Sequence, residues 1–306
     1  MEAKDRMDWI NCTLKSDTGR FAVPYSTGYQ TYSGLLSLID ETDSQLADEL
    51  HDTSFASLTN SGLIGSFDWG INREYQKGVY ADTEYELRIG VTHPDDEAVF
   101  NALTQALVIS DSPLELANGS LRVTGVETES RSHSDILSDA AESVERGACG
   151  VQIQFETPTC CSRYGDVWEA HPDRIHLFQS LADRWNATTT EEQQITLGRE
   201  TLGKELFTVA DTDQYETHSI VVHRREPNQA DSGAGDESSA VTDGGTHLNE
   251  AQGFTGKWTY RFKGASAPTK TAVIALAKFA KFGGVGRHTA RGAGTVSTTV
   301  IGEKND

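Results

Sequence analysis

The order of hydrophobic periodicities constrains this chain most, because one succession of elements occurs twice. In the first half, "RMDWINCTL" alternates apolar and polar residues, the period of a half-buried strand. "STGYQTYSGLLSLID" then reads as a helix with Ser26 or Thr27 at its cap, and "TDSQLADELHDT" as a second short helix carrying Leu46, Ala47 and Leu50 on one side. "SGLIGSFDWGINREYQKGVYADTEYELRIGVTH" reads as strands and turns. "PDDEAVFNALTQALVI" has Pro94 and acids where a helix begins, and "SLRVTGVETES" returns to strand.

The second half follows the same order. "GVQIQFETPT" is a strand, "HPDRIHLFQSLADRWNAT" a helix after Pro172, "THSIVVHRRE" and "GKWTYRFKG" strands, "PTKTAVIALAKFAKF" a helix, and "GAGTVSTTVI" a closing strand. Strand, helix, strand, strand, helix, strand is the ferredoxin-like βαββαβ unit, and here it recurs without a residue repeat. The fold class expected is α+β, with two tandem ferredoxin-like (RRM-like) domains at 1–145 and 146–306. Residues 226–252, acidic and rich in Gly, Ser, Asp and Asn, read as a mobile surface loop between two strands of the second domain.

Charge is distributed unevenly. The chain holds 46 acids and 26 bases, a net charge of −20. Yet residues 251–302 hold 8 of the 26 bases and no acid, leaving 18 bases against 46 acids, or −28, elsewhere. The bases are Lys257, Arg261, Lys263, Lys270, Lys278, Lys281, Arg287 and Arg291. Either acids close in space neutralise them, or they form a polyanion site in which Lys and Arg replace the counterions of a phosphate backbone. So long a stretch without an acid favours the polyanion site. The acidic, lysine-poor remainder is of the kind a halophile's cytoplasm favours.

In the last helix, Lys270, Lys278 and Lys281 fall within an arc of roughly 80°, opposite Val273, Leu276, Phe279 and Ala280, so one core face and one basic face are expected. Ile274 breaks the pattern by falling among the lysines. A loop with Gly283, Gly284, Gly286, Gly292 and Gly294 follows, with Arg287, His288 and Arg291 among them. Glycines let backbone amides approach phosphate, and arginine adds bidentate contacts. The alternative is a loop that needs positive φ. A nucleotide-binding enzyme does not fit, because the Gly-Lys-Ser/Thr order is missing and the loop follows a helix, opposite to the dinucleotide-binding arrangement.

Cys12, Cys149, Cys160 and Cys161 form no CxxC pair, the usage of a reduced intracellular protein. A zinc site from Cys149, Cys160, Cys161, His171 and His176 has a spacing that matches none of the usual patterns. No signal core or membrane span is evident, so a cytoplasmic protein is expected.

Four passages, in order and together running over nearly the whole chain, resemble the CRISPR-associated endoribonucleases that cut precursor CRISPR RNA within its repeats, the sixth Cas family of the RAMP superfamily. They are "VPYSTGYQTYSGLLSLI" with "LADELHDTSFASLTNSGL", then "QIQFETPTCCSRYGDVWEAHPDRIHLFQSLADRWN", "GFTGKWTYRFKG", and "FAKFGGVGRHTARGAGTV", the most specific. The resemblance implies two ferredoxin-like domains, CRISPR repeat RNA as partner, possible company in an interference complex, and no cofactor or metal. It implies attack of a ribose 2′-hydroxyl on the adjacent phosphate, giving 2′,3′-cyclic phosphate and 5′-hydroxyl ends.

Such a reaction needs a proton taken, a proton given and cations for the phosphorane. The family's histidine maps to His51, where a helix C-terminus would favour the protonated form; a histidine there is otherwise a structural or solvated one. The sequence departs from the family at its tyrosine, aligned with Ser37, and at its lysine, since none follows His51 before Lys77. Tyr25, Tyr29, Tyr32 or Ser37 is a substitute for the first, Lys257 or Arg287 for the second. The expected catalytic set is His51, Ser37 and Tyr32. The expected RNA-binding set is Lys257, Lys270, Lys278, Lys281 and the glycine loop, including His288. A non-cleaving RNA-binding subunit is the competing reading.

Overall fold

The computed structural model describes residues 6–52, 58–69, 76–92, 97–162, 168–169, 172–225, 241–243 and 246–302. In the first half the elements are β1 (Met7–Ser16), β2 (Phe21–Pro24), α1 (Gly28–Asp40), α2 (Ser44–Asp52), β3 (Leu58–Ile64), β4 (Gln76–Val79), β5 (Tyr85–Val91), α3 (Glu97–Thr104), β6 (Leu114–Leu116), β7 (Gly119–Arg131) and α4 (His133–Glu145). A π-helical turn at Gln105–Ile109 extends α3. The second half has β8 (Gly150–Thr159), β9 (Cys161–Ser162), β10 (Trp168–Glu169), α5 (Arg174–Thr188), α6 (Arg199–Glu205), β11 (Leu206–Arg225), β12 (Val241–Asp243), β13 (Thr246–Phe262), α7 (Ala267–Gly283) and β14 (Val296–Ile301).

The strand orders are β3-β5-β1-β7-β6 and β11-β13-β8-β14, all neighbours antiparallel. With β6 set aside as an added edge, each sheet places its first strand beside its third and fourth. That is the ferredoxin-like arrangement, so the fold is α+β with two tandem units. The period of two in β1 and β8 is what fixes the registers: Ile10, Cys12 and Leu14 enter one core, and Val151, Ile153 and Phe155 the other. β2 and β4 lie off the main sheet as a two-stranded ribbon, Phe21 opposite Val79 and Pro24 opposite Gln76.

Four sequence expectations change. Helix α4 was not foreseen, although its start is written in the chain: Ser132 accepts from the Asp135 amide while Asp135 accepts from the Ser132 amide, a complete capping box. Its Ile136 and Ala140 join the second core, so the expected boundary between 145 and 146 falls just after a helix that already packs there. The loop expected at 226–252 is shorter, because β12 and β13 occupy its second part; β11 and β13 pair out to Arg225 opposite His247, which gives these polar residues a backbone ladder. Residues 226–240 and 244–245 lie outside the described residues, as do 93–96 around Pro94.

Thr27 sits at the α1 cap position without capping; its hydroxyl accepts from the Leu63 amide at 2.7 Å instead. Finally, α7 has no free basic face. It is buried on nearly all sides, Ile274 included at 0% exposure, because α4 and the edge of the first sheet cover the side opposite its own sheet. Phe279 packs against His133 and Trp185, with ring centroids 6.1 and 5.4 Å away. Burial of such a side chain contributes about 2 kcal/mol.

Candidate nucleic-acid interface

The glycine loop is built against protein backbone. Gly283 ends α7 and Gly284 caps it, its amide donating to Ala280 O at 2.9 Å. Val285 N donates to Gly294 O at 2.8 Å, Gly294 N to Pro158 O at 3.1 Å, and Arg287 N to Cys160 O at 2.8 Å. Gly294 has φ +73°, and a Cβ there would run into Val285 O. Gly292 lies against Gly28, the first residue of α1, with no room for a side chain on either.

Arg184 of α5 locks the loop from beneath. Its guanidinium donates to Gly283 O, to Thr289 Oγ1 at 3.2 Å and to Gly286 O at 2.8 Å. Burial lowers its pKa to about 10, so the charge is retained at neutral pH. The glycines therefore permit close approach within the protein itself, a use that the loop's composition does not separate from phosphate binding.

What the loop presents outward is Arg287, which is exposed. His288 is half-buried at φ +62°, and burial, then the charges of Arg287 and Arg291, lower its pKa to about 4. It is a neutral imidazole at neutral pH. Arg291 bears on Tyr32 of α1: burial raises the Tyr32 pKa and the arginine charge opposes that rise. Asn60 joins this seam by donating to Ala290 O and accepting from Thr31 Oγ1 at 2.8 Å. The N-terminus of α1 and the glycine loop thus form one contact between the two units.

Of the expected catalytic residues, Tyr32 lies at that seam. Ser37 does not: it is exposed, donates to Ser33 O at 3.1 Å, and lies about 140° from Tyr32 around α1. His51 is in the last turn of α2, which packs on α1; its side chain lies outside the described residues.

Two of the three helix lysines meet acids of the first half. Lys281 pairs with Glu129 of β7 and lies 4.0 Å from the Trp9 ring centroid, and Lys278 lies 3.9 Å from Asp139 of α4. Two charges of the acid-free segment are therefore matched by acids of the first half, which the sequence alone does not reveal. Lys270 is half-buried in the first turns of α7. Lys257 is half-buried on β13, opposite Gln154, on the sheet face away from the core. Among the described residues no group of three or more His, Cys, Asp or Glu is placed to hold a metal, and His171 lies outside them. No described helix is long and apolar enough to cross a membrane.

A cleft of about 630 Å³ opens between the β2–β4 ribbon and the second sheet, and reaches Thr27 and Gly292 at the seam. On the ribbon side, Tyr25, Phe67 and Trp69 form an aromatic cluster, with Tyr25 and Trp69 centroids 5.7 Å apart and Phe67 and Trp69 6.4 Å apart. Lys77 lies 3.5 Å from the Phe67 centroid and is only 7% exposed. On the other wall, His218 bonds the Tyr25 hydroxyl and Thr255 Oγ1, each at 2.9 Å. Burial lowers the His218 pKa, with Glu216 opposing. Sequence reasoning missed Trp69, His218 and Arg184 and assigned no role to Lys77; Tyr25 and His218 are 193 positions apart, so no local spacing joins them.

Residues 153–296 match the sequence model of the CRISPR-associated endoribonuclease Cas6 family. No curated protein matches the chain significantly. Among solved structures, a Thermus thermophilus Cas6 product complex superposes with a TM-score of 0.63 at 17% identity, covering 96% of this chain and 100% of that one. A Cas6-related protein from Pyrococcus furiosus gives 0.59 at 11% identity, covering 96% and 99%. A RAMP protein described as binding different RNA substrates gives 0.56 at 14%, covering 95% and 99%. Over 153–296 the chain is thus similar to the Cas6 family of CRISPR-associated endoribonucleases, and nearly its whole length carries the fold of these Cas6 structures.

Proposed function

We propose that this protein is an endoribonuclease that cuts precursor CRISPR RNA within its repeats, without a metal ion, by attack of a ribose 2′-hydroxyl on the adjacent phosphate. The observation that carries the reading is the family match over 153–296, which includes the glycine loop that meets α1. In this reading RNA lies along the seam. His51 exchanges the proton, Tyr32, kept protonated at neutral pH, is a second donor, and Arg287 and Arg291 offset the charge of the phosphorane. The neutral His288 contacts RNA as a hydrogen-bonding group. Ser37, turned toward Ser33 O, has the weakest claim of the three expected catalytic residues. A salt-rich cytoplasm belongs to the same reading, on the strength of the −20 net charge.

A second reading, a CRISPR RNA-binding subunit of an interference complex that does not cut, is favoured by one observation: no lysine follows His51 before Lys77. Incubation with the protein's own repeat RNA in EDTA separates the two. Cleavage leaving a cyclic phosphate, lost by at least about 100-fold in His51→Ala, is expected. Tight binding without a cut selects the second reading, and a cut that needs Mg²⁺ overturns the metal-free mechanism.

A further inference from the structure

We infer that the cleft between the β2–β4 ribbon and the second sheet is a pocket for one unpaired RNA nucleotide, its base stacked on Trp69 and its phosphate at the Lys77 ammonium. The inference rests on the RNA-binding reading above and adds a subsite away from His51. Three observations converge on it. Trp69 is 61% exposed and Tyr25 38% exposed, side by side on one wall, where rings are costly to leave unless something covers them. Every base has a face that stacks on such rings, so the platform accepts any sequence.

Lys77 is the second observation. Its side chain is 7% exposed, and its described neighbours are rings, Phe67 at 3.5 Å and Tyr25 at 6.0 Å, with no hydrogen bond or ion pair to a described residue. Burial lowers its pKa to about 8. A nearly buried ammonium with no carboxylate partner among the described residues is expensive, and the cleft opens beside it. An anion arriving there supplies a charged partner that no described residue provides and favours the charged form.

The third observation is how the charges are divided. The described carboxylates that border the cleft, Glu156 and Glu216, are on the second-sheet wall; Glu156 is paired with Arg88, and Glu216 lies 3.8 Å from His218. That wall suits the amino groups of a base edge, and the Lys77 wall suits its phosphate. The volume of about 630 Å³ lies in the range of small-ligand pockets.

The test uses a fluorescein-labelled RNA of eight nucleotides with no self-complementarity, titrated into the full-length protein and followed by anisotropy. Trp69→Ala should weaken binding by about tenfold. Lys77→Met should weaken it too and reduce the slope of log K against log salt by about one. Trp69 is too exposed for its loss to unfold the protein, and Lys77→Met should melt no lower than the parent, so neither result is open to a folding explanation. If both variants bind the octamer as the parent does while the parent still cuts repeat RNA, the pocket inference falls alone. If the parent binds neither the octamer nor repeat RNA, the functional reading falls with it.

Discussion

The glycine loop with its helix and the wall around Lys77 are opposite cases. The first carries a dense positive signature in sequence, eight bases without an acid over residues 251–302, and the fold uses much of it internally. Lys281 and Lys278 meet Glu129 and Asp139, and Gly292 and Gly294 meet protein backbone. The second carries one lysine among aromatic residues, and the fold leaves that lysine facing a cleft. Charge counted along a chain is thus not charge offered to a ligand. What counts is whether an opposite charge of the same chain reaches it first.

The largest effect that tests this contrast is at Gly294. Alanine there meets Val285 O and must hold φ near +73°, so stability should fall by about 3 kcal/mol in urea denaturation. A variant that folds as well as the parent but loses RNA affinity would restore the glycine to a role in phosphate contact. A smaller effect is expected at Lys281. Lys281→Met should cost about 1 kcal/mol, from a half-buried ion pair and its ring contact, and leave RNA affinity and its salt slope unchanged. A lower slope would show that the helix lysines reach RNA after all.

The smallest effect concerns pH. His288 has its pKa lowered from 6.5 to about 4, so between those values the unfolded chain binds more protons than the native one. Stability therefore rises with pH across this window and is lost as pH falls through it. His288→Asn should flatten that part of the stability curve. An unchanged curve would mean that the imidazole is as solvated in the native state as in the unfolded chain.

The fold was legible because each repeat is built from local patterns. A period of two in β1 and β8, and helical spacing in α1, α5 and α7, each bury one defined set of residues. The Ser132–Asp135 box of α4 was equally local and was passed over. The site was legible only where a resemblance marked it. Which of the bases remained available depended on Lys281 finding Glu129 across 152 positions, and the Tyr25–His218 contact spans 193. No pattern of short range encodes such pairs.

Helix α7 has one further consequence. It is interior to the second unit, yet Thr59 of the first donates to its Phe282 carbonyl at 3.1 Å and Trp9 of the first lies beneath its Lys281. The same rod is a core element for one half and a cover for the other. Neither half can melt without stripping apolar surface from its neighbour, so the chain is expected to lose its structure in one cooperative step. The two walls of the cleft are then held apart by close-packed side chains, and their spacing is as rigid as the interior itself.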